Sequence, residues 1–118
     1  RYLERENGAY GVLREAREMY RGTTPLLTFE LPEPINIEVL FITFQQKDRN
    51  VLEKTLDDVS YDKEAGIISL QLSQADTLSF NADEQLWAQI RLRDDAGNAP
   101  ASEPILIDVE RIFKEGEI

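Results

Sequence analysis

The sequence predicts a mainly β protein, an immunoglobulin-like antiparallel β-sandwich of six to seven strands preceded by an N-terminal helix. Three observations predict it. Short runs with a two-residue apolar period recur from residue 24 onward, separated by turn residues at roughly 8–12-residue spacing. No long helical pattern lies between those runs, which excludes a parallel sheet built from strand–helix–strand units. The first 20 residues instead carry three- and four-residue apolar spacing without proline. The organisation expected is therefore a helical extension over residues 1–22 and a β-sandwich domain over residues 23–118.

Residues 2–20 are rich in Leu, Ala, Arg and Glu, which favour helix. Tyr2, Leu3, Tyr10, Leu13, Ala16, Arg17 and Tyr20 fall near one face, and Gly8 and Gly11 weaken the middle. Tyr10 and Leu13 are candidate contact residues of that helix, docking on a partner or a second copy. Met19 is the only methionine and directly precedes Tyr20-Arg21-Gly22-Thr23-Thr24-Pro25. Arg14-Glu15 can be encoded as a purine-rich string at ribosome-binding distance, so a native start at Met19 is a further expectation.

Gly22 and Pro25 end helical pattern, because glycine reaches backbone angles a helix does not use and proline cannot donate into one. Leu27, Phe29 and Leu31 then share one face of a first strand, which Pro32 and Pro34 end. A second strand, 35–46, places Leu40, Ile42 and Phe44 on one face and Ile37, Val39 and Phe41 on the other. Apolar residues on both faces mark a central strand or one covered by a partner. Lys47-Asp48-Arg49-Asn50 is a hairpin turn into a third strand, 51–56. Residues 57–66 read as an acidic loop and 67–72 as a fourth strand with Ile68, Leu70 and Leu72 in step.

Ser73-Gln74-Ala75-Asp76 matches a capping box, so residues 74–78 are expected to form one helical turn that tucks in Leu78 and Phe80. The cleanest alternation spans 85–93. Leu86, Ala88, Ile90 and Leu92 face one way, and Trp87, Gln89, Arg91 and Arg93 the other. Residues 94–98 form a hairpin loop with Gly97 available for a positive φ. A short return strand at 99–102 is interrupted by Pro100 and Pro104, and Ile105, Ile107 and Val109 open a last strand ending near Phe113.

Composition narrows function. The chain has 118 residues, enough for one domain with its own core, and 42% apolar with 31% charged residues is ordinary for a globular protein. It contains neither cysteine nor histidine, which removes thiol catalysis, disulfides, Cys-ligated zinc and His-dependent triads. No apolar run approaches the roughly 20 residues that cross a bilayer, and residues 1–20 lack the layout of a secretory signal. Residues 1–22 hold five Arg against four Glu, whereas residues 23–118 hold eight Lys or Arg against nineteen Asp or Glu, a net of −11. So acidic a body is repelled by nucleic-acid phosphates and anionic membranes, and neither is an expected partner.

Candidate chemistry is sparse. Asp57, Asp58, Asp62 and Glu64 in one loop, and Asp94, Asp95 and Asn98 in another, supply oxygens of the kind calcium takes. The same residues are those turns use anyway, and the rest of an EF-hand loop is missing, so no metal is assigned. Paired carboxylates also serve glycoside hydrolysis, but no aromatic sugar platform accompanies them. No nucleophile elbow or glycine-rich phosphate loop is present. No catalytic residue and no cofactor are assigned, and the expectation is a protein without enzymatic activity.

Trp87 is the most informative single residue. Exposed beside Arg91 and Arg93 it would form a contact hot spot, since Trp and Arg dominate such patches. Burial under the N-terminal helix or a second sheet is the preferred expectation. Phe41 raises the same question on the second strand. The candidate interface residues are thus Trp87, Arg91, Arg93, Phe41, Tyr10 and Leu13.

From Tyr20-Arg21-Gly22-Thr23-Thr24-Pro25 the chain resembles a group of small proteins encoded in tailed phages and prophages of gut Gram-positive bacteria. The resemblance continues through Leu40-Phe41-Ile42-Thr43-Phe44-Gln45-Gln46, Val51-Leu52-Glu53-Lys54-Thr55-Leu56-Asp57-Asp58 and Leu72-Ser73-Gln74-Ala75-Asp76-Thr77-Leu78. It closes with Gln89-Ile90-Arg91-Leu92-Arg93 and Val109-Glu110-Arg111-Ile112-Phe113-Lys114-Glu115-Gly116-Glu117-Ile118. It spans most of the β-domain and none of residues 1–18. It implies a non-enzymatic tail or baseplate component that meets other phage structural proteins or its own copies, in the host cytoplasm during assembly and then in the virion. The alternative is a carbohydrate- or ligand-binding sandwich using Trp87 and the acidic loops.

Overall fold

The computed structural model describes residues 18–118. They form two packed sheets, and the chain is mainly β. In order the elements are β1 (Glu18–Tyr20), β2 (Leu26–Glu30), β3 (Ile37–Gln46), β4 (Arg49–Thr55), β5 (Val59–Asp62), β6 (Ile67–Gln71), the helical turn α1 (Gln74–Leu78), β7 (Leu86–Asp94) and β8 (Ile105–Glu110). One sheet has the strand order β1-β8-β7-β3-β4 and the other β2-β6-β5.

The alternation read from the sequence sets which side chains meet between the sheets. Leu40, Ile42 and Phe44 from β3, Leu86, Ala88 and Ile90 from β7, and Ile105, Ile107 and Val109 from β8 are buried on one side. Leu27 and Phe29 from β2 and Ile68 and Leu70 from β6 close the other. The rings of Phe44 and Phe80 lie 5.6 Å apart across this core at an interplanar angle of 39°. A tilted aromatic pair of this kind adds to the area it buries.

Five expectations need correction. The helix expected to reach Tyr20 does not, because Glu18–Tyr20 is a strand paired in parallel with Asp108–Glu110. Met19 is buried while its two neighbours are exposed, so pairing with β8 overrides the helical propensity of the residues around it. The remainder of that helix, including Tyr10 and Leu13, lies outside the described residues. The β1–β8 pair also makes the five-stranded sheet mixed rather than purely antiparallel.

The acidic loop 57–66 is not one loop. Its Asp58 carboxylate caps a 3₁₀ turn, Leu56–Asp58, by accepting from the Thr55 N–H at 2.8 Å, and β5 follows with Val59 and Tyr61 turned inward. Together with β1 this brings the strand count among the described residues to eight. The return strand expected at 99–102 reduces to a single bridge, Arg91 to Ala101. Pro100 and Pro104 account for this, since proline cannot donate to a ladder. The segment still runs beside β7, with the Ser102 N–H donating to Ile90 O at 2.8 Å and the Ile90 N–H donating to Ser102 Oγ at 2.9 Å.

The β3–β4 hairpin turns on Lys47 and Asp48 alone, with φ of 51° and 61°. Two positive φ values in succession match the twist of the strands they join. The capping box forms as read: Ser73 Oγ accepts from the Asp76 N–H at 3.0 Å and an Asp76 carboxylate oxygen from the Ser73 N–H at 2.9 Å. Phe80 is fully buried and Leu78 half-buried, as expected.

Candidate interaction face

The two sheets bury one face of β3 and β7, and the alternation leaves the other face outward. On that outer face the pairing register sets Gln45 opposite Trp87, Thr43 opposite Gln89, Phe41 opposite Arg91 and Val39 opposite Arg93. Directly opposed residues on one face of an antiparallel pair have Cβ atoms about 5 Å apart, so these side chains form one continuous surface. Phe41, Arg91, Arg93 and Trp87 are therefore brought together on three cross-strand rungs, Phe41–Arg91, Val39–Arg93 and Gln45–Trp87.

Trp87 is not buried. It is 38% exposed and Phe41 39% exposed, and the second sheet packs on the opposite side from both. The physical reason lies in strand parity: Leu86 and Ala88 take the inward positions, so Trp87 between them must point out. Trp87 sits above a small recess lined by Thr43, Gln45, Gln89 and Pro104.

At the other end of β7 a trough of about 210 Å³ is lined by Val39, Phe41, Arg91, Leu92, Arg93 and Ala99. Its floor and walls are apolar and its rim carries two guanidinium groups. Arg93 donates to Glu38 at 3.4 Å across an exposed pair. The Arg91 side chain makes no hydrogen bond or ion pair among the described residues. Val39 and Ala99 belong to this surface and were not singled out from sequence. Val39 was legible as an outward residue of β3, whereas Ala99 is placed only by the turn of the chain after Asn98.

The acidic loops are occupied with their own backbones. Asp94 Oδ1 accepts from the Ala96 and Asn98 N–H groups at 3.0 and 2.8 Å, and Oδ2 from Asn98 Nδ2 at 3.0 Å. The Asn98 side chain, foremost, and these backbone donors hold the Asp94 carboxyl below the usual carboxylate range. Asp62 Oδ1 accepts from the Ala65 N–H, and Asp95 Oδ2 from Asn36 Nδ2. Among the described residues no group of three or more carboxylates is placed to hold a metal ion. The structure also separates Trp87 from Asp94 by seven residues along β7, about 23 Å at strand rise. Trp87 and the acidic loop at 94–98 therefore do not form one site.

A further polar region lies at the Trp87 end. The buried Gln46 side chain donates through Nε2 to Asn81 O and Glu84 O and accepts from the Asn81 N–H, which holds the turn between α1 and β7. This turn presents Glu84, whose carboxylate lies 3.6 Å from Lys47 Nζ and 3.7 Å from an Arg49 guanidinium nitrogen. Gln45, Asp83, Glu84, Gln85 and Trp87 border a groove of about 390 Å³.

The fold and this face define a two-sheet β-sandwich with one outer sheet face that carries aromatic and arginine side chains. No helix among the described residues is long and apolar enough to cross a membrane. No family model matches the chain, and no curated protein matches it in sequence. Among solved structures the chain is similar to murine CRIg, with a TM-score of 0.48 and 8% identity over 89% of this chain and 100% of that chain.

Proposed function

We propose that this protein is a non-enzymatic structural or adaptor module of a phage-type particle, associated with the tail or baseplate, and that it works by protein–protein contact through the outer face of β3 and β7. The observation that carries the reading is the pairing of exposed Phe41 with Arg91, whose side chain has no partner among the described residues, on the strand that also exposes Trp87. Aromatic and arginine side chains on a rigid sheet are the residue types that dominate binding hot spots. Support for the phage context comes from the sequence resemblance, and support for a protein partner over nucleic acid or membrane comes from the net charge of −10. Location in the host cytoplasm and then the virion follows from the same proposal.

We also propose that the sandwich is immunoglobulin-like. Support comes from the division into a larger sheet centred on β7 and β3 and a smaller one of β2, β6 and β5. The test of the functional reading is affinity capture from a phage-producing lysate, with size-exclusion chromatography and light scattering on the purified chain. Recovery of virion proteins, lost on Phe41→Ser with Arg91→Glu, is expected. A strict monomer that captures no virion protein would contradict it.

A second reading, binding of a carbohydrate or another small ligand, draws support from the exposed Trp87 beside the groove of Gln45, Glu84 and Gln85. Amide and carboxylate side chains around an aromatic ring suit sugar hydroxyls. Glycan-array binding that Trp87→Ala abolishes would favour it over the first reading.

A further inference from the structure

Phe113 is fully exposed, the most exposed large apolar residue among those described. It is not on a loose end. On one side Arg111 bridges to Asp83 at 2.7 Å, and Ile112 lies half-buried against Gly22 and its surroundings. On the other side Glu115 meets Arg21 at 2.6 Å, and Ile118 exchanges two hydrogen bonds with the Gln74 side chain, at 2.8 and 3.1 Å. The tail is therefore pinned on both sides of one aromatic ring held in water. Exposing such a ring costs the hydrophobic free energy its burial would recover, and the pinning removes much of the ordering cost of binding through it.

The same chain carries a receptor of matching character. The trough bordered by Val39, Phe41, Arg91 and Ala99 has about 210 Å³, and an apolar cavity of about 150 Å³ already holds a benzene ring. Charge matches on balance: among the described residues the side chains of Arg91 and, around Phe113, of Glu110, Lys114 and Glu117 make no hydrogen bond or ion pair, so two free carboxylates against one free ammonium stand near the ring that would meet the free guanidinium.

The two features lie at opposite ends of the large sheet. β8 runs antiparallel to β7 with Ile107 opposite Leu86, so the tail leaves beyond the Leu86 end, where Arg111 reaches Asp83. Arg91 and Arg93 stand five and seven residues further along β7, about 17–23 Å away at strand rise. A pair of copies joined by one such contact keeps a free trough on one member and a free Phe113 on the other, and so can go on adding copies. Such a contact generates a ring when the rotation closes and a filament when it does not.

We infer that copies of this chain assemble head to tail, with Phe113 of one copy seated in the Val39–Phe41–Arg91 trough of the next and Arg91 facing the tail carboxylates. This rests on the reading of the outer sheet face as a protein-contact surface and names the partner as a second copy.

Sedimentation of the purified full chain over about 1 μM to 1 mM, the range of modest interfaces, tests it. The wild type should rise in mass with concentration beyond a dimer, and Phe113→Asp and Arg91→Glu should each stay monomeric. An equimolar mixture of these two variants should form a 1:1 heterodimer and nothing larger, because each retains the half the other has lost. Phe41→Ser serves as a second trough variant and should pair with Phe113→Asp in the same way. A wild type monomeric throughout, Phe113→Asp associating like the wild type, or a mixture that does not pair would each overturn the inference. If the wild type is monomeric yet still captures virion proteins through the outer face, only the head-to-tail assembly falls and the broader reading stands.

Discussion

The side-chain amide of Gln46 pairs with the main chain of Asn81 in both directions, donating to its carbonyl at 2.8 Å and accepting from its N–H at 2.9 Å. Gln46 closes β3, has no exposed surface, and takes an inward position that a sandwich core normally fills with an apolar group. Its Nε2 also donates to Glu84 O at 3.2 Å, so every polar atom of the amide is used. The pair ties the end of the central strand to the turn that starts β7, and so fixes the relative height of Trp87 and Gln45 on the outer face.

Gln46→Leu is close in volume but leaves the Asn81 N–H and C=O without this partner in a part-buried site. A loss of about 2–3 kcal/mol in unfolding free energy is expected, in line with the cost of stranding buried polar groups. Urea unfolding measures it. Gln46→Glu at low pH, where the neutral acid still accepts and donates, should recover part of the loss relative to neutral pH.

Asp76 makes stability pH-dependent. Partial burial raises its carboxyl, but hydrogen bonds from the Ser73 N–H, from the Lys54 ammonium at 3.1 Å and from the Ser73 hydroxyl outweigh it, and its pKa is lowered from 3.8. A carboxylate lowered in the folded state adds stability that is fully present above 3.8 and is lost as pH falls through the folded value. Asp76→Asn should therefore cost about 1 kcal/mol at neutral pH, the usual scale for a cap. The wild-type and variant stability curves, measured by thermal unfolding against pH, should converge in acid. Parallel curves would contradict the assignment.

Arg21 joins three parts of the chain. Its Nε donates to Phe80 O at 2.7 Å, one terminal nitrogen to Leu78 O at 3.0 Å, and the other to Glu115 at 2.6 Å. A guanidinium reaches the carbonyls that end α1 in a way an ammonium cannot. Arg21→Lys is expected to lose about 1–2 kcal/mol. Glu115→Gln, whose carboxylate is largely exposed, should lose under about 1 kcal/mol. Chemical denaturation of both variants checks the ranking, and equal losses would show that the ion pair, not the carbonyl contacts, carries the effect.

Much of the sandwich was legible because its signals are local. The two-residue period set Leu40, Ile42 and Phe44 on one face of their strand and Leu86, Ala88, Ile90 and Leu92 on one face of theirs, and the structure buries all of them. The Ser73–Asp76 box was read from four residues and forms with both bonds. What escaped depends on distant partners. Glu18–Tyr20 carries Tyr20 alone as a strand-favouring residue, and only pairing with β8 makes the segment a strand. Val59–Asp62 was hidden by its acidic neighbours, although Val59 and Tyr61 alternate as a strand requires. Tyr61 is then fixed by its hydroxyl, which donates to Ile35 O at 2.7 Å.

The candidate face was half legible. Trp87, Arg91 and Arg93 were placed on one side of their strand correctly, but parity cannot tell an outward side chain in water from one beneath another layer. The structure leaves Trp87 and Phe41 exposed, and sets them in register with arginine and amide neighbours. Phe113 was read as the end of the last strand. Its isolation in water follows from the strand stopping at Glu110 and the tail turning to meet Asp83 and Arg21.

Site-specific photo-crosslinking is the most direct test of the central claim that this protein acts through the outer face of β3 and β7. A benzophenone side chain at position 41, at position 87, and at Ser60 on the other sheet would be activated in assembling particles, with partners identified by mass spectrometry. Adducts to a virion protein or a second copy are expected from positions 41 and 87 and none from Ser60. Adducts from Ser60 alone, or from none of the three, would contradict the claim.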